Sequence, residues 1–301
     1  MIALSELEWE GLEVIKDGLF EAMALCDARP GAATLTWLDD EKYIRQLAEN
    51  PDITCVVCEV SLAEQIPESV TGVCVSSHPR NDFFLIHNHL CSSREYIRQE
   101  FDTVIGKNCN ISPLSYIESK NVVIGDNVCI EEFVSIKANT KIGDNSRVRT
   151  GTVIGCDGYE FKNADNKIVY IEHAGGVIVG SDVDVYSNTC VCKAVFPWDD
   201  TVVGDSSKID NLVHVAHACK IGKRNYIVAG TVLCGSLITE DDVYVGPNAT
   251  IGKVIMSKGS RASLGSVVTT DVKPGTTLSG NFAIEHQKLI KHIKALMKEP
   301  F

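Results

Sequence analysis

The sequence predicts a mainly β protein. A parallel β-helix of hexapeptide repeats covers residues 103–281, with an α/β domain over 1–102 before it and a C-terminal α-helix within 282–301 after it. Three observations predict this. Aliphatic residues recur at every sixth position from 105 onward, Gly, Asn and Asp punctuate the intervals, and both ends of the chain lack the period.

The repeat is the strongest of these signals. Ile105, Ile111 and Ile117 form a first block. After a one-residue slip come Ile124, Ile130, Ile136, Ile142, Val148 and Ile154, then Val179, Val185 and Val191. Val203, Ile209, Val215, Ile221, Ile227 and Leu233 follow, and finally Val245 and Ile251. Of these positions only Leu233 is not β-branched. In nine of them the next residue is Gly. A helical stripe does not have this spacing. A six-residue period with β-branched residues and turn formers marks a hexapeptide β-helix, in which three hexapeptides make one coil. Coils stack at strand-pairing distance, about 4.8 Å. Residues 156–178 and 195–202 break the rhythm as insertions, and loops leaving a stacked coil are frequent carriers of function.

The ends read differently. Residues 1–102 mix helical patterns with short apolar strands such as "ITCVVCEV" and "VTGVCVSS". Cys55 and Cys58 form a C-x-x-C there with no second pair, so they read as buried strand residues and not as a zinc site. Near the C-terminus, Leu289, Ile293, Leu296 and Met297 share one helical face, which predicts an amphipathic helix packing on the last coils or on a neighbouring subunit.

Composition narrows the functional classes. A net charge of −12 argues against nucleic acid as a partner. No run reaches the roughly 18 apolar residues of a membrane span. The acidic N-terminus lacks a signal-peptide core, and twelve cysteines without a secretion signal read as reduced thiols, so a cytoplasmic location is expected. Residues 253–301 are locally basic, with eight Lys/Arg against three acids. Lys258 and Arg261 are the candidates there for contact with an anionic acyl donor.

"KIDNLVHVAHACKIG" (208–222) holds the candidate chemistry. Val215 occupies an inward position. Strand alternation then turns His214 outward and leaves His217 outside the coil near a corner. One 18-residue coil further on lies Gly235, which stacking places beside His217. An outward imidazole suits general-base work on an amine attacking a thioester, and a Gly corner lets a backbone N–H approach the developing oxyanion.

"DGYEF" (157–161), "HAGGVIVGSDVDVYSNTCV" (173–191) and the histidine stretch resemble the UDP-3-O-(3-hydroxyacyl)glucosamine N-acyltransferase family, left-handed hexapeptide-repeat enzymes of lipid A biosynthesis. The resemblance covers nearly the whole chain. It implies left-handed coils, a homotrimer, a nucleotide-sugar substrate, and acyl-CoA or an acyl carrier protein as co-substrate with no permanently bound cofactor. It makes His217 the general base and the Gly235 amide the oxyanion donor. It places Asp210, Asn211 and His214 at the substrate. In "TLTWLDDEKY" (34–43) it assigns Trp37, Asp40 and Tyr43 to the nucleotide base, with the two rings sandwiching a pyrimidine.

The chain also departs from that family. Asp40 stands where the family has Asn, and an ionised Asp only accepts hydrogen bonds. Cys192, Lys193 and Ala194 replace Asp-Arg-Gly, Ala218 replaces Asn, and Val254 replaces a second histidine. "LGSVVTTDVKPGTTLSGNFAI" (264–284) resembles instead the tail of acyl-CoA-using hexapeptide acyltransferases, with Gly280, Asn281, Phe282, Ala283 and Ile284 where that tail ends in Gly-Asn-Pro-Ala-Lys. An acyl-CoA-dependent N-acyltransferase of a dTDP- or UDP-amino-deoxysugar in surface-glycan biosynthesis is therefore the alternative. Two further classes are a noncatalytic trimeric scaffold and a zinc hydratase using His173, His214 and His217. The expectation for a metal is none.

Overall fold

The computed structural model describes residues 1–164, 167–281 and 285–297. Phe282, Ala283, Ile284 and Lys298, and the side chain of Leu296, lie outside the described residues.

Each hexapeptide contributes one short strand, and the strands collect into three parallel sheets of eight, eight and nine. Asn127, Asn145, Asn188 and Asn248 turn corners with φ of 58°, 58°, 57° and 56°, a left-handed conformation that Asn tolerates. Inward residues stack coil upon coil, Val191 on Val215 and Val215 on Leu233, into one continuous core. Where the aliphatic pattern lapses, Thr239 and Met256 continue the column of Ile221. Thr239 sits inside because its hydroxyl accepts from Asn225 Nδ2 at 2.7 Å, so no buried polar group is orphaned there.

Toward the N-terminus a five-stranded sheet runs in the order Glu13–Lys16, Gly72–Val75, Ile53–Cys58, Thr34–Leu38, Ala22–Met23. Only the first pair is antiparallel. Alternation along the strands divides the side chains between two faces. Leu38, Val56, Cys58 and Val75 pack with Leu47 of helix α1 (Ile44–Glu49). Leu35, Cys55, Val57 and Cys74 pack with Phe83 and Phe84 of helix α2 (Pro79–Leu90). Cys55 and Cys58 thus point to opposite faces as buried side chains, and burial pushes both thiols up to about 11.

Both insertions tie this sheet to the coil. The first carries an antiparallel hairpin, Phe161–Ala164 with Lys167–Tyr170. Asn88 of α2 grips the chain after the hairpin, donating to the Tyr170 carbonyl at 2.7 Å and accepting from Glu172 N at 2.9 Å. His87 is a satisfied core histidine. Its Nε2 donates to the Glu172 carbonyl at 2.9 Å and its Nδ1 accepts from Tyr96 Oη at 2.8 Å. Burial lowers it to about 4, so it stays neutral. The second insertion lays Phe196 against Phe83 and Phe84. There Trp198 Nε1 donates to the Met23 carbonyl at 2.9 Å, and Arg98 Nε donates to the Pro197 carbonyl at 2.7 Å.

The C-terminal helix α3 (His286–Leu296) forms as expected, capped by Glu285, which accepts from Gln287 N at 3.1 Å. Its apolar residues Leu289, Ile293 and Met297 remain exposed. Among the described residues, these three are therefore not buried against the last coils. No helix among the described residues is long and apolar enough to cross a membrane.

Candidate active site

His214 and Val215 form one strand of the coil, with His214 between Cys190 and Val232 of the neighbouring coils. Val215 is fully buried in the core, and His214 faces outward. Burial, and then the neighbouring His217, hold its imidazole below the usual range. The chain turns directly after His217, at Ala218 (φ 58°), whose N–H donates to Thr201 Oγ1 at 2.8 Å. The His217 carbonyl accepts from Ser236 N at 2.9 Å, which locks this corner to the next. The ring then lies on Gly235. A Cβ at 235 would sit 2.6 Å from Nε2 and 2.7 Å from Cε1. Among the described residues the Gly235 N–H donates to no protein acceptor. The His217 imidazole and the Gly235 backbone N–H are therefore neighbours, one coil apart.

The first insertion closes over this pair. Gly158 passes so near that a Cβ there would lie 2.7 Å from His173 Nε2 and 3.4 Å from His217 Cδ2. Two residues on, Glu160 Oε2 stands 3.5 Å from His217 Nε2, and the same carboxylate pairs with Lys162. Burial pushes the Glu160 carboxyl up, but hydrogen bonds from His217 and Lys162 outweigh it and hold the group at about 2. His173 is buried, and its ring stands edge-on to His217 at 5.9 Å. Its Nδ1 donates to the Ile171 carbonyl at 2.9 Å, which leaves Nε2 as a buried lone pair without a protein partner. Burial, then the charge of His217, lowers His173 to about 4. The root of the insertion is pinned by Lys193, which pairs with Asp157 at 2.9 Å.

A cleft of about 470 Å³ joins this chemistry to the N-terminal sheet. His217, Ala218, Ser236 and Ile238 of the coil line it, with Glu160 and Lys162 of the first insertion and Phe196 and Trp198 of the second. Trp37 and Phe84 form its far wall. Arg29, Arg80, Lys162, Lys220 and Lys253 put five cations on its lining, against the carboxylates of Asp27, Glu160 and Asp199. Lys220 pairs with Asp199 and Lys253 with Asp27. The Arg80 guanidinium lies 5.7 Å from the centre of the Trp37 ring.

The structure unites some of the expected site residues and separates others. His217 and Trp37 line one cleft, and Gly235 lies under the His217 ring. Trp37 and Tyr43 do not form a sandwich. Trp37 packs on the α2 side of the sheet and Tyr43 in the cluster on the other side, because the strand ends at Leu38 and a 3-10 turn carries the chain around. Asp40 caps that turn, accepting from Lys42 N at 3.0 Å and pairing with Lys42 Nζ at 2.6 Å. Asp210 and Asn211 hold a corner between coils: Asp210 accepts from Asn211 N at 2.7 Å, and Asn211 Oδ1 accepts from Ser187 N at 3.1 Å. Lys258 and Arg261 stand outside the cleft, with Arg261 over the Tyr244 ring at 4.3 Å. Among the described residues of that basic segment, Lys253 reaches it. Val254, at the position of the family's second histidine, is buried in the coil core. Among the described residues no three His, Cys, Asp or Glu side chains converge as a metal shell, His173, His214 and His217 included.

Sequence reasoning assigned no role to Glu160, Lys162, Arg80 or Trp198. The signal for Glu160 was a carboxylate inside "DGYEF", at the root of an insertion that leaves the coil beside the histidine corner.

The repeat family described as bacterial transferase hexapeptide (six repeats) matches residues 121–156 and 200–235. A UDP-3-O-acylglucosamine N-acyltransferase of Coxiella burnetii is 28% identical over 254 residues, 75% of this chain and 72% of that protein. The enzyme of that name from Wolinella succinogenes is 30% identical over 155 residues, 51% of this chain and 48% of its own. The one from Methylorubrum extorquens is 36% identical over 140 residues, 46% of this chain and 39% of its own. Among solved structures, a UDP-N-acetylglucosamine acyltransferase from Campylobacter jejuni superposes with a TM-score of 0.53 at 21% identity, covering 64% of this chain and 79% of that one. An Arabidopsis UDP-N-acetylglucosamine acyltransferase gives 0.50 at 22%, covering 60% and 68%. The fold shared with these two structures is the left-handed β-helix.

Proposed function

We propose that this chain, which resembles the hexapeptide-repeat UDP-3-O-acylglucosamine N-acyltransferases, is an acyltransferase that moves an acyl group from a thioester to the amine of a nucleotide-linked amino sugar. The substrate is of the UDP-3-O-acylglucosamine type named for its relatives, and the acyl group arrives on coenzyme A or on an acyl carrier protein. The observation that carries this reading is the His217 ring lying on Gly235, in a cleft whose far wall is Trp37.

The reaction needs little beyond those parts. The amine nitrogen attacks the thioester carbonyl carbon, and His217 takes its proton. Negative charge collects on the carbonyl oxygen, where the Gly235 N–H stabilises it, since a preorganised donor is worth roughly 10²–10³ in rate. The C–S bond then breaks, and the imidazolium returns the proton to the leaving thiolate. Trp37 offers an aromatic face to the nucleotide base, and the cations of the cleft suit a diphosphate.

Two features go with this reading. The outward residues of the sheet that contains His214 (Tyr116, Ser135, Val153, Cys190, His214, Val232, Thr250 and Val267) include no charged side chain, which suits packing against other copies in a homotrimer. An N-acyltransferase of this substrate class works in the cytoplasm, where nucleotide sugars and acyl thioesters are made.

A second reading, acyl-CoA-dependent acylation of a dTDP- or UDP-amino-deoxysugar, rests on the aromatic rings of Phe84, Phe196 and Trp198, stacked in series at 6.5 and 6.3 Å along the cleft. On this reading the rigid rings bound the space beside the thioester and the acyl chain is short. Incubating the protein with UDP-3-O-acylglucosamine or UDP- and dTDP-amino-deoxysugars, and long-chain acyl carrier protein or short-chain acyl-CoA, tests both. The first reading predicts amide formation from the long-chain carrier. Turnover only with short acyl-CoA and a deoxysugar would replace it by the second.

A further inference from the structure

We infer that Glu160 is a positioning residue for His217, supplied by the first insertion, which fixes the ring's tautomer and stabilises the imidazolium formed during acyl transfer; this rests on His217 being the base.

Three observations meet at this point. Glu160 Oε2 stands 3.5 Å from His217 Nε2, a reach that tightens readily when substrate closes the cleft. An ionised carboxylate only accepts hydrogen bonds. The nitrogen facing it therefore carries the proton, and the lone pair is left on Nδ1. The approach is also built into the backbone. Gly158 is the residue at which a side chain would strike His173 Nε2, at 2.7 Å, and its lack of one lets the insertion lie against both rings and deliver Glu160 two residues later. Finally, Glu160 is held from its other side by Lys162, whose ammonium lies 4.4 Å from the centre of the Phe84 ring on α2. The carboxylate is thus fixed between the N-terminal sheet and the coil.

The charges around His217 come from every element packed on it. His214 lies on its own strand, His173, Glu160 and Lys162 on the insertion, and Lys220 with Asp199 on the next strand and the second insertion. Glu160 is the acid in contact with the ring. In the transfer step the amine N–H bond breaks and an Nδ1–H bond forms. The resulting imidazolium is paired with Glu160 until its proton passes to the thiolate sulfur. Glu160 touches neither substrate in this scheme.

The test uses Glu160→Gln, Glu160→Ala and His217→Ala in the full-length protein, each alone, and Glu160→Gln with His217→Ala. Glu160→Gln should lower kcat about 10- to 100-fold, a share of the roughly 10²–10⁴ that a general base supplies, with the KM for the nucleotide sugar unchanged. The acidic limb of kcat/KM should move to lower pH in Glu160→Gln, because the negative charge that favours a protonated ring is gone. That limb cannot be Glu160 titrating, since its carboxyl is held at about 2. The double variant should be no slower than His217→Ala alone. An unmoved acidic limb in Glu160→Gln, or an equal further loss from Glu160→Gln in the His217→Ala background, would overturn the inference while leaving His217 as the base. Near-wild-type turnover of His217→Ala would instead remove the reading on which it rests. Glu160→Ala checks packing: an unfolded Glu160→Ala beside a folded, impaired Glu160→Gln still assigns the effect to charge.

Discussion

The imidazole of His217 occupies the space that a side chain at residue 235 would fill: a Cβ there would meet Nε2 at 2.6 Å. Gly235 is not in the left-handed region of backbone space, so Ala is conformationally allowed and the ring is the obstacle. Gly235→Ala should therefore cost activity by displacing His217, and about 1–3 kcal/mol of stability by overpacking. In a His217→Ala background the same substitution should be neutral for stability. Thermal unfolding of the four proteins measures this, and an equal cost in both backgrounds would show that the contact is not the cause.

Trp37 and Tyr43 lie on opposite faces of the sheet and should separate in function as well. Trp37→Ala should raise the KM for the sugar nucleotide by about 5- to 150-fold, the equivalent of roughly 1–3 kcal/mol of stacking, and leave the KM of the acyl donor alone. Tyr43→Ala should leave the nucleotide KM unchanged, because its ring lies in the cluster on the other face of the sheet. Asp40→Asn should be tolerated, since an amide oxygen still caps the turn. Steady-state kinetics with both substrates decide each point.

How much of this could be read beforehand follows from which geometry the sequence encodes. Coil register is arithmetic in a six-residue period, so the pairing of His217 with Gly235 follows from a separation of 18. The insertions interrupt that count, so nothing in the numbering brings Glu160 or His173 to the same corner. The Trp37–Tyr43 separation was hidden for a related reason. Six residues apart would mean one face on a continuous strand, but the strand ends at Leu38. Likewise the basic tail was legible as charge, yet only the fold shows that Lys253 reaches the cleft while Lys258 and Arg261 do not.

Lys258 and Arg261 keep one testable role, as contacts for an anionic acyl donor outside the cleft. Lys258→Glu with Arg261→Glu should weaken donor binding, and the donor KM of the native protein should rise with salt as those contacts are screened. A salt-independent donor KM would leave both residues as solvated surface. Lys253→Ala should act on the cleft itself, where Lys253 pairs with Asp27 at 3.6 Å.

Acid should destabilise the fold in two separate windows. His87 and His173 are both lowered from 6.5 to about 4, so the unfolded chain binds their protons first. The stability they contribute is complete above 6.5 and is lost as pH falls toward 4, on the order of 3 kcal/mol for each. Glu160 is lowered from 4.5 to about 2, so its contribution is lost only below 4.5. Thermal unfolding against pH should therefore fall between 6.5 and 4, and His87→Gln should flatten that segment. A flat profile there in the native protein would mean the two histidines are not held neutral.

The central claim is that His217 is the base for acyl transfer to an amine, and thiol release from an acyl thioester in the presence of the amino-sugar nucleotide measures it most directly. His217→Ala should lower kcat roughly 10²–10⁴-fold, with its oligomeric state and unfolding temperature unchanged, since its side chain lies outside the coil core. His214→Ala should cost much less. Thiol release by His217→Ala at the native rate, or by neither protein with any amino sugar, would contradict the account.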